Sequence, residues 1–190
     1  RVQPTATAKR AAIEKYLTAV PLFKTAGDTY RQALTLLSIG SAYAQLNEFR
    51  QALPYFEDTA ALARAVGDRR LEAGTETFMG GMRDILGDMV LALDHYNRAL
   101  KLSRETGTRL NEASSLNNIG KIYSDQSDWQ KARDYYGQAL ILYKAISSPR
   151  VAVTLNNLGV TYNSSGEPAK ALEYFQQSLP LLRAGNDRNA

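Results

Sequence analysis

The stretch Leu116-Asn117-Asn118-Ile119-Gly120-Lys121-Ile122-Tyr123 returns 39 residues later as Leu155-Asn156-Asn157-Leu158-Gly159-Val160-Thr161-Tyr162. In both copies the leucine is followed by a second apolar residue after three residues, by glycine after four and by tyrosine after seven. These offsets place the four residues on one face of an α-helix. The glycine recurs every 39 or 40 residues along the chain, at Gly40, Gly80, Gly120 and Gly159. A period of this length predicts a stacked array of helical repeats.

A second helix is predicted in each repeat, after a short turn that contains Gly, Asn or Ser. Twelve residues after the repeated glycine, this helix carries an alanine, at Ala52, Ala92, Ala132 and Ala171. Four residues later comes an aromatic residue, at Phe56, Tyr96, Tyr136 and Phe175. Because glycine within a helix costs roughly 1 kcal/mol relative to alanine, its repetition predicts a contact too close for any side chain. We expect the alanine to be the matching surface and the aromatic to fill the space beside it.

The chain is therefore predicted to be all-α, a single array of antiparallel helix pairs across residues 1–190. The pattern begins with one leading helix at residues 9–26, which matches the second helix of a partial repeat. Four complete repeats follow, at residues 29–66, 69–106, 109–146 and 149–185. Residues 188–190 would open a further helix, so we expect the array to continue beyond them.

The glycine, the tyrosine three residues later, and the alanine and aromatic of the next helix resemble the tetratricopeptide repeat. The resemblance covers about residues 9–188. The 40-residue unit with Leu-Asn-Asn-Leu/Ile-Gly is similar to repeats of kinesin light chains and of large bacterial proteins. The linker at residues 64–73 resembles bacterial proteins whose repeats precede a caspase-like CHAT domain. The resemblance to the tetratricopeptide repeat implies a right-handed superhelix, in which the first helix of each repeat lines a concave groove.

The second repeat departs from this pattern. Arg83 stands where the tyrosine is expected, and glycine occupies three positions of the same predicted helix, Gly74, Gly80 and Gly81. Two interpretations stay open: this part of the groove is specialised, or its helix is loosened.

The resemblance implies that groove-lining residues lie at fixed distances from each glycine. The candidates for binding a partner are Asn117, Asn118, Lys121, Asn156, Asn157, Asn163 and Phe78. Asparagine carries both a donor and an acceptor, so these amides can pair with the backbone of an extended peptide. Lys121 would add a preference for an acidic residue. In the alternative, asparagines one repeat apart bond to each other and satisfy buried polarity, and Phe78 packs between helices.

The composition argues against catalysis and against metal or cofactor binding. Cysteine is absent and His95 is the only histidine. Because His95 directly precedes the core aromatic Tyr96, we expect it on the outer side of its helix, without a metal. The net charge is +4, but lysine and arginine are scattered rather than clustered, which favours a solvated surface over a nucleic-acid site. No apolar run approaches the length of a membrane helix.

These observations predict a non-enzymatic module that holds an extended peptide or flexible protein segment in its groove. The alternative is a sensory or scaffold arm that packs on an effector domain and regulates it, CHAT protease-like on the resemblance above. We expect a protein or peptide partner, and a chain that is monomeric or associates weakly end to end. Arg1 is not a natural start, which indicates a fragment; the compartment is not fixed, although the cytoplasm is slightly favoured.

Overall fold

The structure is a computed structural model that describes residues 5–187. This part of the chain forms nine α-helices and no strand, which confirms the all-α prediction. The helices are α1 (Ala6–Thr25), α2 (Thr29–Gln45), α3 (Phe49–Ala65), α4 (Arg69–Ile85), α5 (Met89–Glu105), α6 (Arg109–Asp125), α7 (Trp129–Ala145), α8 (Arg150–Ser164) and α9 (Pro168–Asp187). The further helix expected at residues 188–190 lies outside the described residues.

Short turns of three or four residues separate the helices. Left-handed backbone at the end of the preceding helix and, at several turns, a capping side chain at the start of the next helix stabilise them. A helix commonly ends on a residue with left-handed backbone, where glycine is favoured. Five glycines and three polar residues adopt positive φ in these turns, between +51° and +84°. An aspartate often begins the next helix: Oδ1 of Asp28 accepts from the Arg31 amide, and Oδ1 of Asp68 accepts from the Leu71 amide. Such caps satisfy amides that the first helical turn leaves without a partner.

The chain divides into two compact units between Leu102 and Ser103, within α5. In unit 1, which precedes this boundary, α1 packs on α2, α2 on α3 and α3 on α4. In unit 2, which follows it, α6 packs on α7, α7 on α8 and α8 on α9, and α6 also touches α8. Within each unit these helices therefore pack mainly against their neighbours in sequence, as expected for stacked repeats.

An aromatic ring lies directly over each repeated glycine. A methyl group added at Gly40 would meet the Phe56 ring at 3.0 Å, and one added at Gly159 would meet the Phe175 ring at 2.5 Å. The corresponding distances at the second and third repeats are 2.6 and 2.9 Å. The alanines are buried, but the atoms nearest the glycine belong to the ring. The expected matching surface is thus corrected from alanine to the aromatic side chain, which occupies the space that a side chain would need.

Candidate functional site

Six of the seven predicted groove residues lie in unit 2. Asn117, Asn118 and Lys121 belong to α6, and Asn156, Asn157 and Asn163 belong to α8. In both helices the neighbouring apolar residues are buried, at Leu116, Ile119, Leu155 and Leu158. The four asparagines beside them are half-buried, whereas Lys121 and Asn163 are exposed. The helix period therefore holds two pairs of amides at the edge of a packed core.

Two of these asparagines bond to each other across the helices. Oδ1 of Asn117 accepts a hydrogen bond from Nδ2 of Asn157 at 3.5 Å and another from Oγ1 of Thr154 at 3.1 Å. The alternative of inter-helix bonding is therefore present for Asn117 and Asn157. Each amide also has a second polar atom beyond this bond, because asparagine carries both a donor and an acceptor.

Lys121 has an ionic partner on its own helix. Its Nζ lies 2.7 Å from Oδ2 of Asp125, one helical turn away. Pairs at this spacing stabilise a helix by a few tenths of a kcal/mol. An acidic residue of a bound peptide would have to compete with Asp125 for this ammonium group.

Phe78 lies on α4 in unit 1, apart from the six residues on α6 and α8. Its ring stacks on Phe56 with the centroids 5.5 Å apart and the planes 16° from parallel. The residue nevertheless remains 46% exposed. It packs between helices, as one interpretation predicted, and still offers aromatic surface to solvent.

The unexpected feature of unit 1 is a buried polar contact between α4 and α5. Glu76 is only 2% exposed, and its Oε2 lies 2.8 Å from Nδ1 of His95, whose side chain is 12% exposed. The prediction that His95 faces outward was wrong. Glu76 lies four residues before its glycine, where the other repeats have the buried leucines Leu36, Leu116 and Leu155. A carboxylate in that position needs a polar partner, and His95 provides it.

Further charges surround this contact. Nε of Arg64 lies 2.8 Å from Oε1 of the buried Glu72, and Nη1 of Arg69 lies 3.3 Å from its Oε2. Nη2 of Arg64 comes within 4.0 Å of Glu76. The sequence signal for this contact is Glu76 itself, which occupies a position where the other repeats have leucine. Among the described residues, no group of three or more histidines and carboxylates could hold a metal ion.

Stacked tyrosines join the two helices of the other three repeats. The pairs are Tyr43–Tyr55, Tyr123–Tyr135 and Tyr162–Tyr174, with ring centroids 5.2–5.5 Å apart. Burial raises the pKa of Tyr174, and the adjacent Tyr162 raises it further. In the second repeat, Arg83 and His95 occupy the two corresponding positions. Sequence reasoning noted Arg83 but missed that its tyrosine partner is also replaced.

The described helices are too short or too polar to cross a membrane. Their pairwise packing, short turns and glycine–aromatic contacts define an all-α helical repeat protein. Proteins of this class typically act as non-catalytic scaffolds that bind other proteins. Models of the tetratricopeptide repeat match residues 35–70, 72–145 and 151–184, and the chain belongs to this family. No curated protein sequence matches the chain.

Solved structures with the same fold include the apo form of RapI, which is 18% identical with a TM-score of 0.88. A Rap protein complexed with Competence and Sporulation Factor is 16% identical, with a TM-score of 0.77. The matches cover 94% and 93% of this chain but only 66% and 51% of the two Rap chains. The TPR-like repeats of a kinesin light chain-type protein from Podosopora anserina are 13% identical, with a TM-score of 0.75, and the match covers 96% of this chain and 90% of that one. At these identities the likeness concerns the fold.

Proposed function

We propose that this chain is a protein-interaction module that holds an extended peptide or flexible protein segment against the asparagines of α6 and α8. The observation that carries the proposal is the presence of four half-buried amides on two neighbouring helices. The bond between Asn117 and Asn157 restricts two of them, so less side-chain entropy is lost when a partner binds. The likeness to a Rap protein in complex with a factor supports the same class of function.

Asparagine amides favour recognition of the peptide backbone rather than of its side chains. Each hydrogen bond contributes a net of about 0.5–1.5 kcal/mol, so four contribute about 2–6 kcal/mol before the cost of ordering the peptide. This range corresponds to weak binding, at best in the micromolar range. Because Lys121 is paired with Asp125, we expect only a small preference for acidic peptides on this surface. The exposed ring of Phe78 offers a separate apolar contact within unit 1.

The test compares wild-type protein with Asn118→Ala/Asn156→Ala on an array of unrelated extended peptides. These two residues lie outside the Asn117–Asn157 bond, so their replacement leaves that bond in place. Loss of two hydrogen bonds at about 1 kcal/mol each should weaken peptide binding at least tenfold. A separate variant, Asn117→Ala/Thr154→Val, removes the inter-helix bonds and should lower the melting temperature, which measures the structural role of these bonds. Unchanged peptide binding by the Asn118→Ala/Asn156→Ala variant would contradict the proposal.

A second candidate function is that of a sensory or scaffold arm in a larger protein. It is favoured by the coverage of the Rap structures, in which the matched repeats form only about half to two thirds of the chain. A CHAT protease-like effector would follow from the linker resemblance at residues 64–73. Peptide-dependent activity of the complete gene product would support this role, and full activity after deletion of the repeats would contradict it. We expect the isolated chain to be monomeric or weakly self-associating, which light scattering at several concentrations would measure.

A further inference from the structure

The exposed face of α8 carries two amides between two valines. Val153 and Val160 are 50% and 47% exposed, and their spacing of seven residues places them two turns apart on one face of the helix. Asn156 and Asn157 lie between them on the same face and are half-buried. The amides of α8 are therefore flanked, toward both ends of the helix, by apolar side chains that remain open to solvent.

The two exposed valines distinguish α8 from α6. At the same distances from its glycine, the third repeat has Ser114 and Lys121. The Ser114 hydroxyl accepts a hydrogen bond from the hydroxyl of Tyr143 at 3.1 Å, and Lys121 is paired with Asp125. Both flanking positions on α6 are thus polar and engaged within the protein, whereas those on α8 offer apolar surface.

The four half-buried asparagines form a row across α6 and α8. Nδ2 of Asn157 donates to Oδ1 of Asn117, so these two amides occupy the facing sides of the two helices. Successive residues of a helix are turned by about 100°, which places Asn118 and Asn156 on the sides that face away from this bond. An extended peptide that contacts the whole row must therefore cross both helices rather than run along one of them.

The crossing direction determines where the side chains of the peptide point. The N–H and C=O groups of an extended peptide project at right angles to its side chains, and successive side chains point to opposite sides. When the backbone groups point toward the amides of α8, one side chain extends along the helix toward Val153 and the next toward Val160. The valines are about 10.5 Å apart along the helix axis, so each lies about 5 Å from a backbone midway between them. An aliphatic side chain spans this distance.

We propose that the segment bound by the asparagines carries two adjacent aliphatic residues where it crosses α8, one in contact with Val153 and the other with Val160. This inference rests on the proposed function, because it assigns a side-chain preference to a peptide whose backbone lies on the amides. Over α6 the same peptide meets Ser114 and Lys121, and we expect no preference for an aliphatic pair there.

The test compares two peptides, acetyl-Gly-Ser-Leu-Leu-Ser-Gly-amide and acetyl-Gly-Ser-Gln-Gln-Ser-Gly-amide, in NMR titrations of the wild-type protein. The leucine peptide should bind at least about tenfold more tightly, because its contacts with the valines remove apolar surface from water. It should also shift the methyl signals of Val153 and Val160 in a saturable manner. This methyl measurement uses wild-type protein and does not depend on the folding of a variant.

Val153→Ser/Val160→Lys gives α8 the residue types that α6 carries at these positions. Because both valines are exposed, the variant should keep the wild-type melting temperature. It should bind the leucine peptide only as tightly as the glutamine peptide, whose own affinity should not change. The matched control is Ile141→Lys, which alters a 69% exposed residue of α7 in the same unit. This control should bind the leucine peptide as wild type does.

The outcomes separate this inference from the proposed function. Equal binding of the two peptides, with both weakened by Asn118→Ala/Asn156→Ala, would overturn the inference and leave the proposed function in place. A leucine preference that survives in the folded valine variant, or valine methyl signals that stay unshifted at saturation, would also overturn it. Binding of the leucine peptide that the asparagine variant leaves unchanged, or no saturable binding of either peptide, would contradict the inference and the proposed function together.

Discussion

At the repeated glycines, an aromatic ring leaves no room for even one methyl group. We expect Gly159→Ala to destabilise the protein by about 1–3 kcal/mol, because the Phe175 ring must move. Gly137 provides the control, since it lies within α7 with no atom within 4 Å of an added methyl group. Gly137→Ala should stabilise by up to about 1 kcal/mol through helix propensity. Urea denaturation measures both, and a change of the same sign in both variants would contradict the account.

Glu167 illustrates how charged residues link successive repeats. Hydrogen bonds from Lys170 and Arg133 lower the pKa of its carboxyl group below the ordinary value of 4.5. Its contribution to stability is therefore complete above about pH 4.5 and is lost as the pH falls through the lower folded-state pKa.

We expect Lys170→Gln to raise the pKa of Glu167 toward 4.5, because the first hydrogen bond is then missing. A ¹³C NMR titration of the side-chain carboxyl groups measures this value. Asp128, whose pKa is lowered by Lys131, serves as an internal control and should titrate as in wild type. An unchanged pKa of Glu167 would show that Lys170 does not bind it in solution.

At the scale of helices, the contact between α4 and α5 depends on Glu76 and His95, whose side chains contact each other. Glu76→Leu alone should cost about 1–3 kcal/mol, because nearly buried His95 then loses its partner. Glu76→Leu/His95→Tyr restores residue types found in the other repeats and should equal wild type or exceed it by about 1–4 kcal/mol. Thermal denaturation of the single and double variants gives their coupling energy. Additive effects would mean that the two residues do not stabilise each other.

The helices could be predicted from sequence because each repeats the same residues at the same offsets. Gly120 and Gly159 predict a close contact. Glycine destabilises the interior of a helix, so its repetition there indicates that a neighbouring group occupies the space of a side chain. The contacts of the candidate site residues could be predicted less well than the helices. Whether Asn117 bonds to Asn157 depends on the separation of α6 and α8, which no local pattern encodes. The position of His95 depends on Glu76, 19 residues earlier, and becomes apparent only when all repeats are compared.

For the molecule as a whole, the two compact units predict that stability is local. In a repeat array each element contacts mainly its neighbours, so a destabilised repeat need not unfold distant ones. Gly80→Ala places a methyl group 2.6 Å from the Tyr96 ring in unit 1. Hydrogen exchange should then accelerate in α4 and α5 at least tenfold more than in α8 and α9. Equal acceleration in both units would indicate one cooperative structure.

The proposed function places the backbone of an extended peptide on the half-buried asparagines of α6 and α8. The most direct measurement is an NMR titration of the side-chain amide signals with the best peptide from the array. We expect saturable shifts at Asn118 and Asn156, with Asn163 at the end of α8 responding less. Saturable binding of the peptide that leaves the signals of Asn118 and Asn156 unmoved would contradict the proposed site.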